Sequence, residues 1–251
     1  MTTTPVPSTA DLAERTLVVI GGSSGQGLAV GRAAAAAGAE VVLVGRSRGR
    51  LDQALAELPG RARAEVADML DAAAMERLFE RLGSLDHLVV TAVADEVSLR
   101  SPLVEMTDEV AVRSLDKLWG SFHAARSAAP RIRPGGSITF TSSVAAIDPP
   151  ADGGFAMANA ASAAVAALGR SLAAELKPIR VNVVSPGVVD TGVWASMSDA
   201  ERDRFRTDMA GRLPVGHLGR PEEVASAFLF LMTNTYATGV VLPVDGGQLL
   251  T

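Results

Sequence analysis

Three spaced glycines after an apolar run constrain this chain more than any other feature. The run Leu17–Ile20 is followed by Gly21, Gly25 and Gly27, and an alanine-rich segment continues from them. This order predicts a strand, a tight turn and a helix. Glycines let the backbone turn sharply and lie close to a ligand, and the helix would direct free N–H groups and its positive dipole end at the turn. The arrangement suits a pyrophosphate.

Two serines inside the glycine turn, Ser23 and Ser24, would add hydroxyl donors to such a site. A nucleoside triphosphate site is the weaker interpretation, because the lysine of a P-loop does not follow. A glycine-rich turn can also serve only the close packing of a strand against a helix.

Strand and helix signals alternate along the chain, which predicts a single α/β domain with a doubly wound parallel sheet and helices on both faces. A chain of 251 residues with 48% hydrophobic content can bury such a core. Ligands of these sheets lie beyond the carboxyl ends of the strands. The predicted strands cover 17–20, 40–44, 63–67, 136–141, 179–185, 240–244 and the apolar part of 86–92, and the predicted helices cover 28–37, 51–58, 72–82, 121–129 and 158–174.

Composition excludes several other classes of protein. The net charge is −5 and no basic cluster occurs, which argues against nucleic-acid binding, and no apolar run approaches the roughly 20 residues of a membrane helix. The chain has no cysteine, which fits a reducing compartment, so we expect a soluble cytoplasmic protein. Residues 1–14 are polar and lack the apolar core of a signal peptide, which predicts a disordered lead-in before a domain over 15–251.

The residues after the second predicted strand bear on the choice of nucleotide. In dinucleotide folds a carboxylate here binds the adenosine ribose hydroxyls, whereas this chain has Gly45-Arg46-Ser47-Arg48. Guanidinium groups in place of the carboxylate favour a phosphorylated ribose, so NADP(H) is predicted over NAD(H). Alternatively, the arginines only solvate the start of the next helix.

The glycine spacing, Gly-x-x-x-Gly-x-Gly, resembles the cofactor loop of the short-chain dehydrogenase/reductase family. Three later stretches resemble the same family: Ser185-Pro186-Gly187-Val188-Val189-Asp190-Thr191, Gly219-Arg220-Pro221-Glu222-Glu223 and Val244-Asp245-Gly246-Gly247. The resemblance runs from about Leu17 to the last residue. It implies a Rossmann-like fold, a nicotinamide cofactor, a small-molecule substrate, and assembly as a homodimer or homotetramer.

The resemblance also implies which residues contact the cofactor. Asp68 would meet the adenine amino group, and the Val189 backbone and Thr191 hydroxyl would meet the nicotinamide carboxamide and a nearby phosphate. The chain has Val90-Thr91-Ala92-Val93 where the family usually has Asn-Asn-Ala-Gly. Gln26 replaces an aliphatic residue and would bond substrate or carboxamide, or simply begin the helix. The predicted cofactor-binding residues are Gly21, Ser23, Ser24, Gly25, Gln26, Gly27, Arg46, Ser47, Asp68, Met69, Thr91, Ala92, Pro186, Gly187, Val189 and Thr191.

The family's catalytic set of Asn, Ser, Tyr and Lys is largely missing. In that set a tyrosine with a pKa lowered by lysine protonates the carbonyl oxygen. Ser143 matches the serine, although its hydroxyl could instead only satisfy backbone groups at a strand end. Residues 144–165 contain no tyrosine and no lysine. One alignment puts Ala158 and Ser162 at those positions, and another puts Ala156 and Ala160 there.

Lys117 stands where the family has its asparagine, in Lys117-Leu118-Trp119-Gly120. Such a lysine could hold a substrate oxygen or help transfer a proton, although helical periodicity alone also allows an exposed position. Lys117 and Ser143 are therefore the predicted catalytic residues. The single tyrosine, Tyr236, is predicted to be structural, and the three histidines form no recognisable metal set.

Residues 190–212 resemble the family's substrate-binding lid. Trp194, Met197, Phe205 and Met209 in this segment suggest a large, flat or apolar substrate, with core packing as the alternative. Three functions remain open: an NADPH-dependent reductase of a quinone-like or conjugated carbonyl, an ordinary ketoreductase using Lys117, Ser143 or water as the acid, and a non-catalytic NADP(H) sensor. A reductase is favoured over a sensor, because the nicotinamide end of the site is intact, and a quinone-like or conjugated carbonyl is the substrate that needs the least help from an acid.

Overall fold

A seven-stranded parallel sheet organises the computed structural model, which describes residues 12–92, 99–151, 153–191 and 198–251. The strands are β1 (Thr16–Ile20), β2 (Glu40–Gly45), β3 (Ala62–Val66), β4 (Leu85–Val90), β5 (Ile132–Thr141), β6 (Arg180–Pro186) and β7 (Val241–Val244). Their order in the sheet is β3-β2-β1-β4-β5-β6-β7, and every neighbouring pair is parallel. The predicted single-domain, Rossmann-like α/β fold is confirmed.

Eight α-helices occur in the described part of the chain: α1 (Gly25–Ala36), α2 (Arg48–Leu55), α3 (Ala72–Leu82), α4 (Asp108–Arg113), α5 (Asp116–Ala128), α6 (Ala156–Glu175), α7 (Asp199–Arg212) and α8 (Pro221–Thr233). The bounds of α3 agree with the prediction. Helix α2 begins at Arg48 rather than Leu51, because the Ser47 hydroxyl accepts the Arg50 N–H and caps an earlier first turn.

Side chains of the strands alternate between two apolar layers, which explains why the sheet is covered on both faces. Leu17 and Val19 of β1 belong to one layer, which includes residues of α1 and α8. Val18 and Ile20 belong to the other, which includes residues of α3, α5 and α6. The continuous apolar runs predicted as strands are therefore buried on both sides.

The order of the strands brings the glycine turn to the middle of the sheet. β1 pairs with β2 on one side and with β4 on the other, so the chain reverses its direction of progress across the sheet at β1. In open α/β sheets this switch point leaves a crevice outside the carboxyl ends of the strands. The predicted site residues follow these strand ends.

The predicted disordered lead-in over 1–14 needs a correction at its end. Residues 1–11 lie outside the described residues, but Leu12 is buried in the core, and its N–H donates a hydrogen bond to the Ala37 carbonyl. Burial of an apolar side chain holds this segment against the end of α1. Among the described helices, none has the length and apolar character needed to span a membrane.

Candidate functional site

The glycine turn is packed too tightly for side chains at two of its positions. Gly21 has a φ of +92°, and its N–H bonds to the Val44 carbonyl. A Cβ on Gly27 would lie 2.3 Å from the Gly21 carbonyl oxygen and 2.4 Å from Thr91 Oγ1. Gly25 also has a positive φ of +53°, but a Cβ there would meet nothing closer than Thr191 Cγ2 at 3.6 Å. The backbone at Gly25 is therefore open toward Thr191.

Helix α1 directs its first amides into the space at this turn. Ser24 precedes the helix in an extended conformation, and among the described residues its side chain makes no capping bond to the helix. Its hydroxyl instead accepts a hydrogen bond of 3.0 Å from Arg50 Nη2. The helix dipole and the guanidinium together make this corner attractive to an anion.

Exposed basic residues follow β2 beside the glycine turn. Arg46, Ser47 and Arg48 are all exposed, and Arg48 forms an ion pair with Asp52 in the next turn of α2. Arg50 belongs to the same basic run but is not among the predicted cofactor-binding residues. The contact of Arg50 with Ser24 connects this basic run to the glycine turn, whereas Arg48 pairs with Asp52 of its own helix.

The end of β4 lies directly against the glycine turn. The N–H groups of Thr91 and Ala92 both donate to the Ile20 carbonyl, at 2.9 and 3.1 Å, and Thr91 Oγ1 donates to it as well. A Cβ on Gly21 would lie 2.5 Å from the Ala92 nitrogen. Val93, named with these residues in the sequence, lies outside the described residues.

Asp68 and Met69 follow β3 at the same edge of the sheet. Asp68 Oδ1 accepts the Leu70 N–H at 3.0 Å, and buried Met69 lies against α5, where a Cβ on Gly120 would be 2.4 Å from its sulfur. Burial raises the pKa of the Asp116 carboxyl above its ordinary value, and the Asp68 charge adds to the rise. The start of α5 therefore lies near the end of β3.

The segment after β6 closes the crevice opposite the glycine turn. β6 ends at Pro186, the Gly187 N–H donates to the Val244 carbonyl, and buried Val189 pairs with Gly219. Beyond this bridge, Thr191 and Gly25 line one groove of about 260 Å³, whose other lining residues are Leu28, Ala29, Arg32, Asp190, Pro221 and Glu222. The structure thus brings the two halves of the predicted cofactor site together.

Lys117 is buried, whereas helical periodicity alone also allowed an exposed position. Only 5% of the residue is accessible, and its Nζ donates a 3.0 Å hydrogen bond to Ser162 Oγ of α6. Ser143 is half-buried at the start of a short 3₁₀ turn, where its Oγ accepts the Ala145 N–H. Ser143 thus makes the backbone contact that the sequence left as the alternative to catalysis.

The two alignments proposed for α6 name pairs of residues that differ in burial. Ala158 and Ser162 are buried, whereas Ala156 and Ala160 are exposed. Ser162 also bonds Lys117 of α5. Ala158 and Ser162 therefore lie on the face of α6 that α5 covers. The chain therefore presents a methyl group and a hydroxyl on this face.

Gln26 lies within the described residues, whereas the predicted lid is only partly described. Gln26 is half-buried in the first turn of α1. Of the predicted lid residues, Trp194 and Met197 lie outside the described residues, while Phe205 and Met209 are half-buried on α7. Helix α7 begins with a capping box between Ser198 and Glu201. An ion pair of 3.0 Å between Arg206 and Asp190 ties α7 to the segment after β6.

Known proteins match nearly the whole chain. The profile of a family described as enoyl-(acyl carrier protein) reductase matches residues 21–248. The short-chain dehydrogenase/reductase ATR9 of Stachybotrys chlorohalonatus is 33% identical, and the alignment covers 94% of this chain and 97% of ATR9.

Solved structures agree with these sequence matches. A small-chain dehydrogenase in complex with NADPH is 31% identical with a TM-score of 0.78, over 95% of this chain and 100% of that chain. An NADPH-bound short chain oxidoreductase from Pseudomonas aeruginosa PAO1, described as containing an atypical catalytic center, is 33% identical with a TM-score of 0.85, over 93% of this chain and 96% of that chain.

Proposed function

This chain belongs to the short-chain dehydrogenase/reductase family, and on that premise we propose that it is an NADP(H)-dependent reductase of quinone-like or conjugated carbonyl substrates that works without a tyrosine acid. The observation that carries the proposal is the buried face of α6, where Ala158 and Ser162 lie and Lys117 reaches across from α5. The family's usual acid has no counterpart on this face.

The cofactor crevice fits a dinucleotide. Gly25 leaves bare backbone at the crevice, since a Cβ there would meet nothing closer than Thr191 Cγ2 at 3.6 Å, and the uncapped start of α1 supplies amides for a pyrophosphate. Gly187, Val189 and Thr191 would hold the nicotinamide end. When bound, NADPH supplies a hydride to the substrate. Its binding in the related structures supports the choice of this cofactor.

Arginines at the adenosine end favour the phosphorylated cofactor. Arg46 is exposed directly after β2, and Arg50 bonds Ser24 of the glycine turn. Guanidinium groups bind phosphate through charge-assisted hydrogen bonds, and no carboxylate occupies the position after β2 that would repel a 2′-phosphate. We therefore assign Arg46, Ser47 and Arg50 to the 2′-phosphate.

Substrate chemistry explains how reduction proceeds without a tyrosine acid. Two-electron reduction of a quinone by one hydride yields the aromatic hydroquinone monoanion, whose charge lies on a phenolate oxygen, and one proton from water then completes the hydroquinone. Phenols have pKa values of about 10, so the oxygen formed from a quinone needs far less help from an acid than an ordinary alkoxide. The only tyrosine, Tyr236, is 99% exposed beyond α8 and is not on the buried face of α6.

The burial of Lys117 favours a second candidate function, the reduction of ordinary ketones. An ammonium near the reacting oxygen could donate the proton that tyrosine normally donates. Loss of a positioned general acid typically costs roughly 10²- to 10⁴-fold in rate, so we expect this reaction to be slow and dependent on Lys117.

NADPH oxidation by the purified full chain tests these functions against a panel of quinones and simple ketones. We expect quinone turnover that exceeds ketone turnover, and NADPH preferred over NADH. Lys117→Ala is compared with Lys177→Ala, since Lys177 is the only other lysine and is exposed. Ketone turnover that is lost only in Lys117→Ala would support the second candidate. Tight NADPH binding without turnover of any substrate would overturn both and leave a sensor.

A further inference from the structure

Ser162 is the residue of α6 that receives the Lys117 side chain. The bond from Nζ to Oγ is 3.0 Å, and the two residues are only 5% and 1% exposed. Ala158 and Ala161, which are also buried on α6, are small residues beside this contact. Lys117 is therefore held between the two helices and does not extend into solvent.

The backbone at Ser162 is fixed to the sheet. Ser142 Oγ donates a 2.8 Å hydrogen bond to the Ser162 carbonyl, and the Ser142 N–H donates to the Val184 carbonyl at 2.8 Å. Ser143 follows directly in the chain. The two predicted catalytic residues, Lys117 and Ser143, are thus connected through Ser162 on α6 and Ser142 directly after β5.

A lysine ammonium has three donors on a flexible four-carbon stem, so its position depends on the acceptors around it. Burial makes a missing acceptor costly, because a polar group removed from water must be hydrogen-bonded. On the proposed function, we propose that Ser162 is a positioning residue that holds the Lys117 ammonium toward the reacting oxygen of the substrate. Ser162 acts through Lys117 and does not itself touch substrate.

Nuclear magnetic resonance of lysine side chains tests the contact without turnover. The chain has only two lysines, so ¹⁵N-lysine labelling gives one Nζ signal for Lys117 and one for exposed Lys177. Ser162→Ala should shift the Lys117 signal and speed its hydrogen exchange with water by about tenfold or more. Ser162→Thr, which keeps the hydroxyl, should restore slow exchange.

Ser171→Ala is the matched control, because Ser171 lies on the same helix but is exposed and bonds only backbone among the described residues. It should leave the Lys117 signal unchanged. Circular dichroism establishes that each variant folds. An unchanged Lys117 signal in folded Ser162→Ala would overturn the proposal.

Kinetics with the best ketone substrate, whose alkoxide oxygen depends most on a proton donor, test the consequence of the contact. Ser162→Ala should lower kcat by about tenfold with little change in KM, as expected for the loss of one charge-assisted hydrogen bond, and Ser162→Thr should recover most of it. The double variant with Lys117→Met should lose no more than Lys117→Met alone. Full kcat in Ser162→Ala while Lys117→Met loses activity would also overturn the proposal. If the wild-type chain turns over no substrate, the proposed function fails, and the Lys117 signal alone decides whether Ser162 holds the ammonium.

Discussion

At the scale of single residues, Gly27 leaves no room for a side chain between the glycine turn and Thr91. In Gly27→Ala the added Cβ would lie 2.3 Å from a backbone oxygen, so the turn must move. We expect NADPH affinity to fall by about tenfold or more, since overpacking of this kind costs about 1–3 kcal/mol and displaces the amides of α1. Isothermal titration calorimetry measures the affinity.

Gly49→Ala is the control for this substitution, because a Cβ on Gly49 of α2 would meet nothing within 4 Å. It should bind NADPH as the wild type does. Equal affinity in Gly27→Ala and Gly49→Ala would contradict the assignment of the glycine turn to the cofactor.

Local features of single residues were predictable from the sequence, whereas their long-range contacts were not. The spacing of Gly21, Gly25 and Gly27 predicts a tight turn because only the local backbone decides it. The same reasoning leaves Lys117 undecided between an exposed and a buried position. It also misses Arg50, since the bond to Ser24 joins residues 26 positions apart.

At the scale of elements, α6 packs against β6 through a glycine. A Cβ on Gly169 would lie 2.4 Å from Val183 Cγ2, and a β-branched valine cannot easily turn away. We expect Gly169→Ala to lower the free energy of unfolding by about 1–3 kcal/mol, despite the better helix propensity of alanine. Urea unfolding followed by circular dichroism measures the change.

Gly211→Ala near the end of α7 provides the comparison, because no atom lies within 4 Å of its added Cβ. Here we expect no loss and a gain of up to about 1 kcal/mol from helix propensity. A Gly169→Ala variant as stable as wild type would show that α6 can move away from β6.

At the scale of the whole molecule, a buried polar layer lies at the amino ends of the central strands. His87 of β4 is buried and bonds Ser137 of β5 through Nδ1 at 2.9 Å. Burial first, and then the Arg180 charge, lower the pKa of His87 from 6.5 to about 4 against the opposing charge of Asp86. The imidazole is therefore neutral in the folded protein at neutral pH.

This histidine makes stability depend on pH. Between pH 4 and 6.5 the unfolded chain binds a proton at His87 that the folded chain does not, so the free energy of unfolding falls as the pH falls through this window. We expect His87 to contribute a loss of about 2 kcal/mol between pH 7 and pH 5. In His87→Asn, which keeps a polar partner for Ser137 but does not titrate, that part of the loss should vanish in urea unfolding. Identical pH dependence in the two proteins would contradict the buried neutral state.

The sequence by itself determined the seven strands, five of the eight described α-helices, the parallel sheet and the class of cofactor crevice, whereas α4, α7 and α8 were not predicted. These follow from local patterns, because apolar runs, glycine positions and capping residues act over a few neighbouring residues. The bounds of α3 and the turn after β1 were predictable for this reason.

Only the tertiary structure decided how the chemistry is arranged. The contact of Lys117 with Ser162 joins residues 45 positions apart on two helices, and the meeting of Gly25 with Thr191 joins opposite sides of the crevice. The spacing of residues along the chain does not predict which faces of distant helices pack together. The order of the strands and the packing of α5 on α6 fix those faces, and with them which polar groups are buried together.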